Sequence, residues 1–267
     1  MGTVLVRGTG DVGSAVAHAL FRAGHAVVLH DQPRPSHHRS GMAFVNALYD
    51  GATELQGVLG KKARAPADLP HMVRCGRAVP VSDAPFDEVI ALVHPDVLVD
   101  ARMRKREHPE SQRGLAPLTI GLGPNFEAGV NADAAVETAW GDELGAVLWS
   151  GRTRDLEGEP QEIAGHARAR YVYAPCSGVF STALNVGDAV EEGQELAQVD
   201  GTPLHAPLSG CLRGLTRNGA PVRAGTKVIE VDPRGDPAAA HGLGERPRRI
   251  AEGVLSAINA LPLRPQQ

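Results

Sequence analysis

Residues 3–31 read TVLVRGTGDVGSAVAHALFRAGHAVVLHD. Residues 3–7 are a short apolar run ending on Arg7, the pattern of a buried strand. Gly8-Thr9-Gly10-Asp11-Val12-Gly13 is a glycine-rich turn. Residues 14–23 carry helical periodicity and stop at Gly24, a residue suited to a helix C-terminus. Residues 26–30 form a second strand, closed by Asp31. A G-x-G-x-x-G turn is a weak signal alone. Between a strand and a helix, with an acid 23 residues after Gly8, it has the context of a dinucleotide-binding turn. In that reading Gly8 permits the tight turn, and Gly10, beside Thr9, lets backbone approach a pyrophosphate. Gly13 allows close helix–strand packing. The free N–H groups of the helix mouth take phosphate, and Asp31 takes a ribose diol. The competing reading is a turn that only packs.

Asp11 complicates the picture. Its carboxylate suits a helix N-terminus, but it repels phosphate unless it turns away or a cation intervenes. Past Asp31, Arg34 and Arg39 either receive a 2′-phosphate or are solvated. His37-His38, lacking a third ligand, read as surface residues.

Working outward, residues 41–50 read as helix, 56–59 and 77–81 as strand patches, and 83–93 as a helix with Pro85 in its first turn. Residues 96–100 (DVLVD) and 117–121 (PLTIG) read as buried strands, with weaker strands near 135–139 and 145–149. Ligands on such sheets sit at the carboxyl ends of strands. This adds Asp100, Lys105 (in a basic loop with Arg102, Arg104 and Arg106), and Gly121 and Gly123, with Glu137-Thr138 weaker. The basic loop is either a solvated face or a receiver of an anion.

After a polar, Gly-rich stretch at 150–168 the helix signal stops. Ala174-Pro175-Cys176-Ser177-Gly178 returns 32 residues later as Ala206-Pro207-Leu208-Ser209-Gly210, and Gly187, Val190 and Gly193 return as Gly219, Val222 and Gly225. Two such halves are the pattern of biotinyl and lipoyl carrier domains. The hairpin Asp200–His205 has no lysine, so biotin and lipoate are not expected. An amphipathic helix over about 248–260 closes the chain, with Ile250, Val254, Leu255 and Ile258 on its apolar stripe. It docks on the main domain or on a partner subunit, which leaves a homodimer open.

The expected fold class is therefore α/β: a Rossmann-like, mostly parallel sheet domain, then an all-β barrel-sandwich hybrid (biotinyl/lipoyl-like) domain and a C-terminal helix. The expected boundaries are 1–150, a linker at 151–168, the all-β domain at 169–236, and linker plus helix at 237–267.

At 267 residues the chain can bury more than one core. A net charge of −4 gives nucleic acid or anionic membrane no electrostatic support. No apolar run reaches the roughly 18 residues of a span. Three cysteines without C-x-x-C spacing fit reduced thiols in the cytoplasm. No metal-ligand spacing and no nucleophile–base pair stands out, so no metal is expected and no catalytic residue is named.

The segments Val6–Asp11, Leu98–Lys105, Pro117–Pro124, Val136–Thr138, Gly210–Leu215 and Asp232–Asp236 together resemble the YqeB-type accessory proteins encoded with selenium-dependent molybdenum hydroxylases. Asp11 is kept in that resemblance, while Asn125 replaces a glycine and the chain after Asp236 matches poorly. The resemblance implies a maturation factor for a client molybdenum hydroxylase, binding a nucleotide or nucleotide-containing cofactor. NAD(P) or another nucleotide is the cofactor expected. Two alternatives stand beside it. One is an NAD(P)-dependent oxidoreductase, for which Lys105 and His94 are the only nearby acid/base groups. The other is an interaction scaffold with a vestigial nucleotide site.

Overall fold

The computed structural model describes residues 2–104, 107–155 and 160–260. The first part contains β1 (Thr3–Arg7), α1 (Asp11–Arg22), β2 (Ala26–His30), α2 (Asn46–Asp50), β3 (Ala52–Leu55) and β4 (Val58–Lys62). It continues with α3 (Leu69–Cys75), β5 (Val79–Ser82), α4 (Phe86–Val93), β6 (Val97–Asp100) and β7 (Leu118–Leu122). Short strands β8 (Glu127–Ala128), β9 (Ala134–Val136), β10 (Val147–Leu148) and β11 (Gly151–Arg152) follow.

Nine strands make one sheet in the order β10-β9-β7-β6-β1-β2-β5-β4-β3. Strands β9 to β4 in that row run parallel, and the outer pairs β10–β9 and β3–β4 are antiparallel. Side chains alternate across the sheet as strand geometry requires. Val4 and Val6 of β1, Val27 and Leu29 of β2, and Val97 and Val99 of β6 enter one core. Leu5, Val28 and Leu98 enter the other, against Leu69 of α3 and Val89 of α4. Each such apolar side chain removed from water contributes about 1.5–3 kcal/mol.

The second part holds β12 (Tyr171–Tyr173), β13 (Gly178–Ser181), β14 (Ala189–Val190), β15 (Glu195–Val199), β16 (Thr202–His205), β17 (Gly210–Leu215), β18 (Pro221–Val222) and β19 (Lys227–Asp232), then α5 (Glu245–Ala260). They form two four-stranded antiparallel sheets, β12-β19-β17-β14 and β16-β15-β13-β18. Positions 32 apart occupy matching strands, but β14 and β18 are exchanged between the sheets.

The expected fold class is corrected here. The large sheet is mixed rather than a Rossmann-like domain of two βαβαβ halves. Among the described residues no helix crosses over between β6 and β7 or between β7 and β9. The face those helices would cover is closed by α5, which returns from the far end of the chain to pack on α1, β9 and β10. The all-β part comprises separate antiparallel sheets rather than a self-standing carrier barrel. It is stitched to the first part: Ser40 Oγ donates to the carbonyl of Leu215 at 3.0 Å, and Arg39 makes an isolated parallel bridge with Leu215. Among the described residues no helix is long and apolar enough to cross a membrane.

Candidate functional site

The chain reverses direction across the sheet at β1, which has β2 on one side and β6 on the other. A crevice opens at the carboxyl ends of such strands. A cleft of about 540 Å³ lies there, lined by Arg7, His30, Asp31, His37, Asp83, Phe86, Arg102 and Arg104 among others.

The glycine turn forms one lip. Gly8 takes φ +111°, a conformation that side-chain-bearing residues avoid, and lies against Ala101. Above it, Asp31 is fully engaged by its own chain. Its Oδ2 accepts from Thr9 N at 2.7 Å, Thr9 Oγ1 at 2.7 Å and His37 Nε2 at 2.8 Å, and its Oδ1 accepts from Gln32 N at 2.8 Å. Burial works to raise the Asp31 pKa, but the His37 charge and these donors overcome it and hold the carboxyl at about 2. His37 lies over Gly10, where a side chain on the glycine would meet Nδ1 at 3.1 Å.

Asp11 faces away from the cleft. Its Oδ2 accepts from Arg39 NH1 at 3.0 Å, and Arg39 reaches on to Glu230 of β19, Nε to Oε2 at 2.9 Å. Burial opposes ionisation of Asp11, yet Arg39, Arg246 and His38 bring its pKa down to about 2. Glu230 is fully buried and also accepts from Arg170 and, at 3.0 Å, from Arg213.

The other lip is cationic. Asp100, 1% exposed, ends β6 and grips Arg102 twice, Nε to Oδ1 at 2.9 Å and NH2 to Oδ2 at 2.5 Å. Glu110 accepts from Arg102 NH2 at 2.6 Å and pairs with Arg104 at 2.6 Å. Arg7 NH1 donates to Gln112 at 2.8 Å and to Glu110 at 3.3 Å, and its guanidinium stacks 3.7 Å from the Phe86 ring centre. Three guanidiniums thus share Asp100 and Glu110, with the exposed Glu107 carboxylate 3.9 Å from Arg104. Arg7 is only 9% exposed, and its Nε has no hydrogen-bond partner among the described residues. Burial first, then repulsion from Arg102, lowers its pKa to about 10. Burial likewise lowers the pKa of His30, whose ring tilts against Phe86.

The structure therefore gathers Gly8, Thr9, Gly10, Asp11, Gly13 and Asp31 at one turn, with Asp100 two strand-widths from Asp31. Arg34 is turned elsewhere, toward the Tyr49 ring and Gly219 of the all-β part. Gly121 is covered by the Phe126 ring, and Gly123 packs on Met103. Lys105 lies outside the described residues. Sequence reasoning missed Arg7 and Phe86 as cleft residues, and Glu110 and Gln112 as the partners that hold the cleft arginines. The one available signal was a charged residue closing an otherwise apolar strand. Among the described residues no group of three or more His, Cys, Asp or Glu could hold a metal ion.

The two held aspartates make the site acid-sensitive. Their folded pKa values lie below the ordinary 3.8, so their stabilisation is present above about pH 5 and lost as pH falls toward 2. For Asp31 alone this is about 2 kcal/mol. Urea midpoints measured at pH 7 and pH 3 should show the fall, and Asp31→Asn should flatten it.

No protein-family model matches the chain. It is 34% identical over 258 residues to the uncharacterized protein YqeB of Escherichia coli K12, an alignment covering 97% of this chain and 47% of that one. The chain thus spans about half the length of the curated relative it matches, and over that half the two sequences are similar. Three solved structures share a weak likeness. The ectoine utilization protein EutE of Ruegeria pomeroyi is 12% identical, with 85% of this chain and 56% of that chain covered and a TM-score of 0.23. A succinylglutamate desuccinylase of Silicibacter sp. TM1040 is 12% identical, with coverage of 86% and 84% and a TM-score of 0.25. An aspartoacylase family protein of Mesorhizobium loti is 13% identical, with coverage of 86% and 84% and a TM-score of 0.26. Likeness at that level carries no argument for activity.

The expected function is corrected. Neither a nucleotide-binding maturation role, nor NAD(P) redox, nor a vestigial nucleotide scaffold is retained. Within the chain, Asp31 Oδ2 accepts from Thr9 N, Thr9 Oγ1 and His37 Nε2 and Oδ1 accepts from Gln32 N, so both oxygens that a ribose diol would use are already engaged by the chain itself. The approach to Gly10 is filled by the His37 ring.

Proposed function

We propose that this chain, similar to YqeB over half of that protein's length, binds a small organic anion in the cleft at the carboxyl ends of β1, β2 and β6. Arg7 and Arg102 receive its charged group, and Phe86 supports its apolar part. The observation that carries this reading is the Arg7 Nε–H, buried and without a hydrogen-bond partner among the described residues, on a cleft-lining side chain that shares Glu110 with Arg102 and Arg104. An unsatisfied buried donor costs about 1–3 kcal/mol, and an anion accepting from it removes that cost. Arginine suits the role because its donors match carboxylate and oxyanion geometry. The sheet's switch point is where such ligands settle.

Calorimetric titration with succinate and with sulfate at pH 7 tests the reading. Native protein should bind, and Arg7→Met should lose about 10- to 100-fold in affinity, as expected for a hydrogen bond to a charged group. Binding of neither anion, or equal affinity in the variant, would overturn it.

Of the family expectation, YqeB kinship is what the relative supports. The association with selenium-dependent molybdenum hydroxylases is implied by the sequence resemblance alone. A cytoplasmic location stays part of this proposal, resting on the free cysteines Cys75, Cys176 and Cys211.

A further inference from the structure

Of the two imidazoles in the cleft wall, His30 and His37, only His37 is held by a carboxylate. His37 Nε2 lies 2.8 Å from Asp31 Oδ2. That oxygen already accepts from Thr9 N and Thr9 Oγ1, and Oδ1 accepts from Gln32 N. An acid receiving this many donors is ionised, so Nε2 is the nitrogen that carries the proton toward it. This leaves Nδ1 as the basic nitrogen. Nδ1 has no hydrogen-bond partner among the described residues. The ring is 31% exposed and forms part of the cleft wall.

We propose that His37 is a proton-linked recognition residue of this cleft: it takes a proton on Nδ1 as the anion binds and contributes a second kind of cationic donor beside the arginines. The proposal rests on the anion-binding reading above and adds the residue that makes it depend on pH. The step is a plain protonation, in which solvent supplies the proton, the Nδ1 lone pair accepts it, and Nε2–H stays on Asp31. The charged surroundings favour it on one side and oppose it on the other. Asp31 from the end of β2 and Asp11 from α1 favour the cation. Across the cleft Arg7, Arg102 and Arg104 oppose it until an anion lies between, while His30 and Asp83 complete the titratable lining. In the free protein burial lowers the His37 pKa, but the Asp31 carboxylate outweighs burial and the net shift is upward.

Succinate and sulfate are suitable probes because neither changes charge above about pH 6.5. Calorimetry should be run from pH 6.5 to 9 in two buffers of different ionisation enthalpy. The expected result is net proton uptake of up to one per anion, with affinity falling up to about tenfold per pH unit above the His37 titration. His37→Gln should bind with no proton uptake and a flat profile. As a check on the native protein, one histidine Cε1–H signal should titrate at higher pH when sulfate is present. Binding without proton uptake, an unchanged profile in His37→Gln, or no shifted histidine overturns this inference while leaving the anion site standing. Absence of all binding overturns the reading beneath it.

Discussion

Glu230→Gln should lower the stability of the fold by about 3–5 kcal/mol, the largest single-residue effect expected in the all-β part. The carboxylate is 0% exposed and is shared by Arg39, Arg170 and Arg213, with His38 Nε2 at 3.6 Å. Arg170 is itself 2% exposed, so its charge has no route to water. Removing the acid strands buried cations, and that loss exceeds the net value of the intact pair. The arginines hold the Glu230 pKa well below its usual range in spite of burial, so the native carboxylate is ionised at every pH near neutrality. Because Arg39 also holds Asp11, the damage should spread to the mouth of α1. Urea unfolding of native protein, Glu230→Gln and the double variant Glu230→Gln/Arg213→Gln would measure it. The double variant should recover part of the loss, since it removes one stranded cation. A cost below about 1 kcal/mol for the single variant, typical of an exposed pair, would contradict the buried-hub description.

Gly13→Ala should be damaging for a different reason, at about 3 kcal/mol or more. Gly13 is buried in the first turn of α1, and a Cβ there would overlap the carbonyl oxygen of Gly8 and press on Ala101. The obstruction is backbone, which cannot rotate aside as a side chain would. Relief requires α1 to lift from the ends of β1 and β6, disturbing the core that Val12, Val16 and Leu20 share with α5. A thermal midpoint lowered by roughly 5 °C or more is expected for a loss of this size. Gly51→Ala is the control, because nothing lies within 4 Å of the added methyl, although φ +84° adds some strain. Equal effects at both positions would mean that close approach at Gly13 carries no special weight.

These two residues also separate what the sequence made legible from what it did not. The stretch 3–31 gave a strand, a turn, a helix and a strand, and β1, α1 and β2 lie within a few residues of that reading. The reason is local: alternation and glycine spacing act over a few residues. The same motif misled about a ligand. Gly8 and Gly13 are needed for backbone geometry alone, and the contacts of Asp31 and His37 with the turn lie in no spacing rule. Glu230 was not singled out because a lone acid within Lys227–Asp232 belongs to no motif or spacing rule. In fact Val228, Ile229, Glu230 and Val231 are all buried, and the partner arginines come from positions 39, 170 and 213. The closing helix was legible as amphipathic, but its destination on α1, β9 and β10 is set by a sheet face that only the fold assembles. In the basic loop, Arg102 and Arg104 are fixed by Asp100 and Glu110 rather than solvated, a pairing that only the fold brings together.

The measurement that bears most directly on the anion cleft is the side-chain Nε–H signal of Arg7 in a nitrogen-15 correlation spectrum, assigned by its loss in Arg7→Lys. On titration with succinate this signal should move saturably, because its donor gains an acceptor that no described residue supplies in the free protein. An Arg7 Nε–H signal that stays in place at saturating succinate, while other residues respond, would contradict the account.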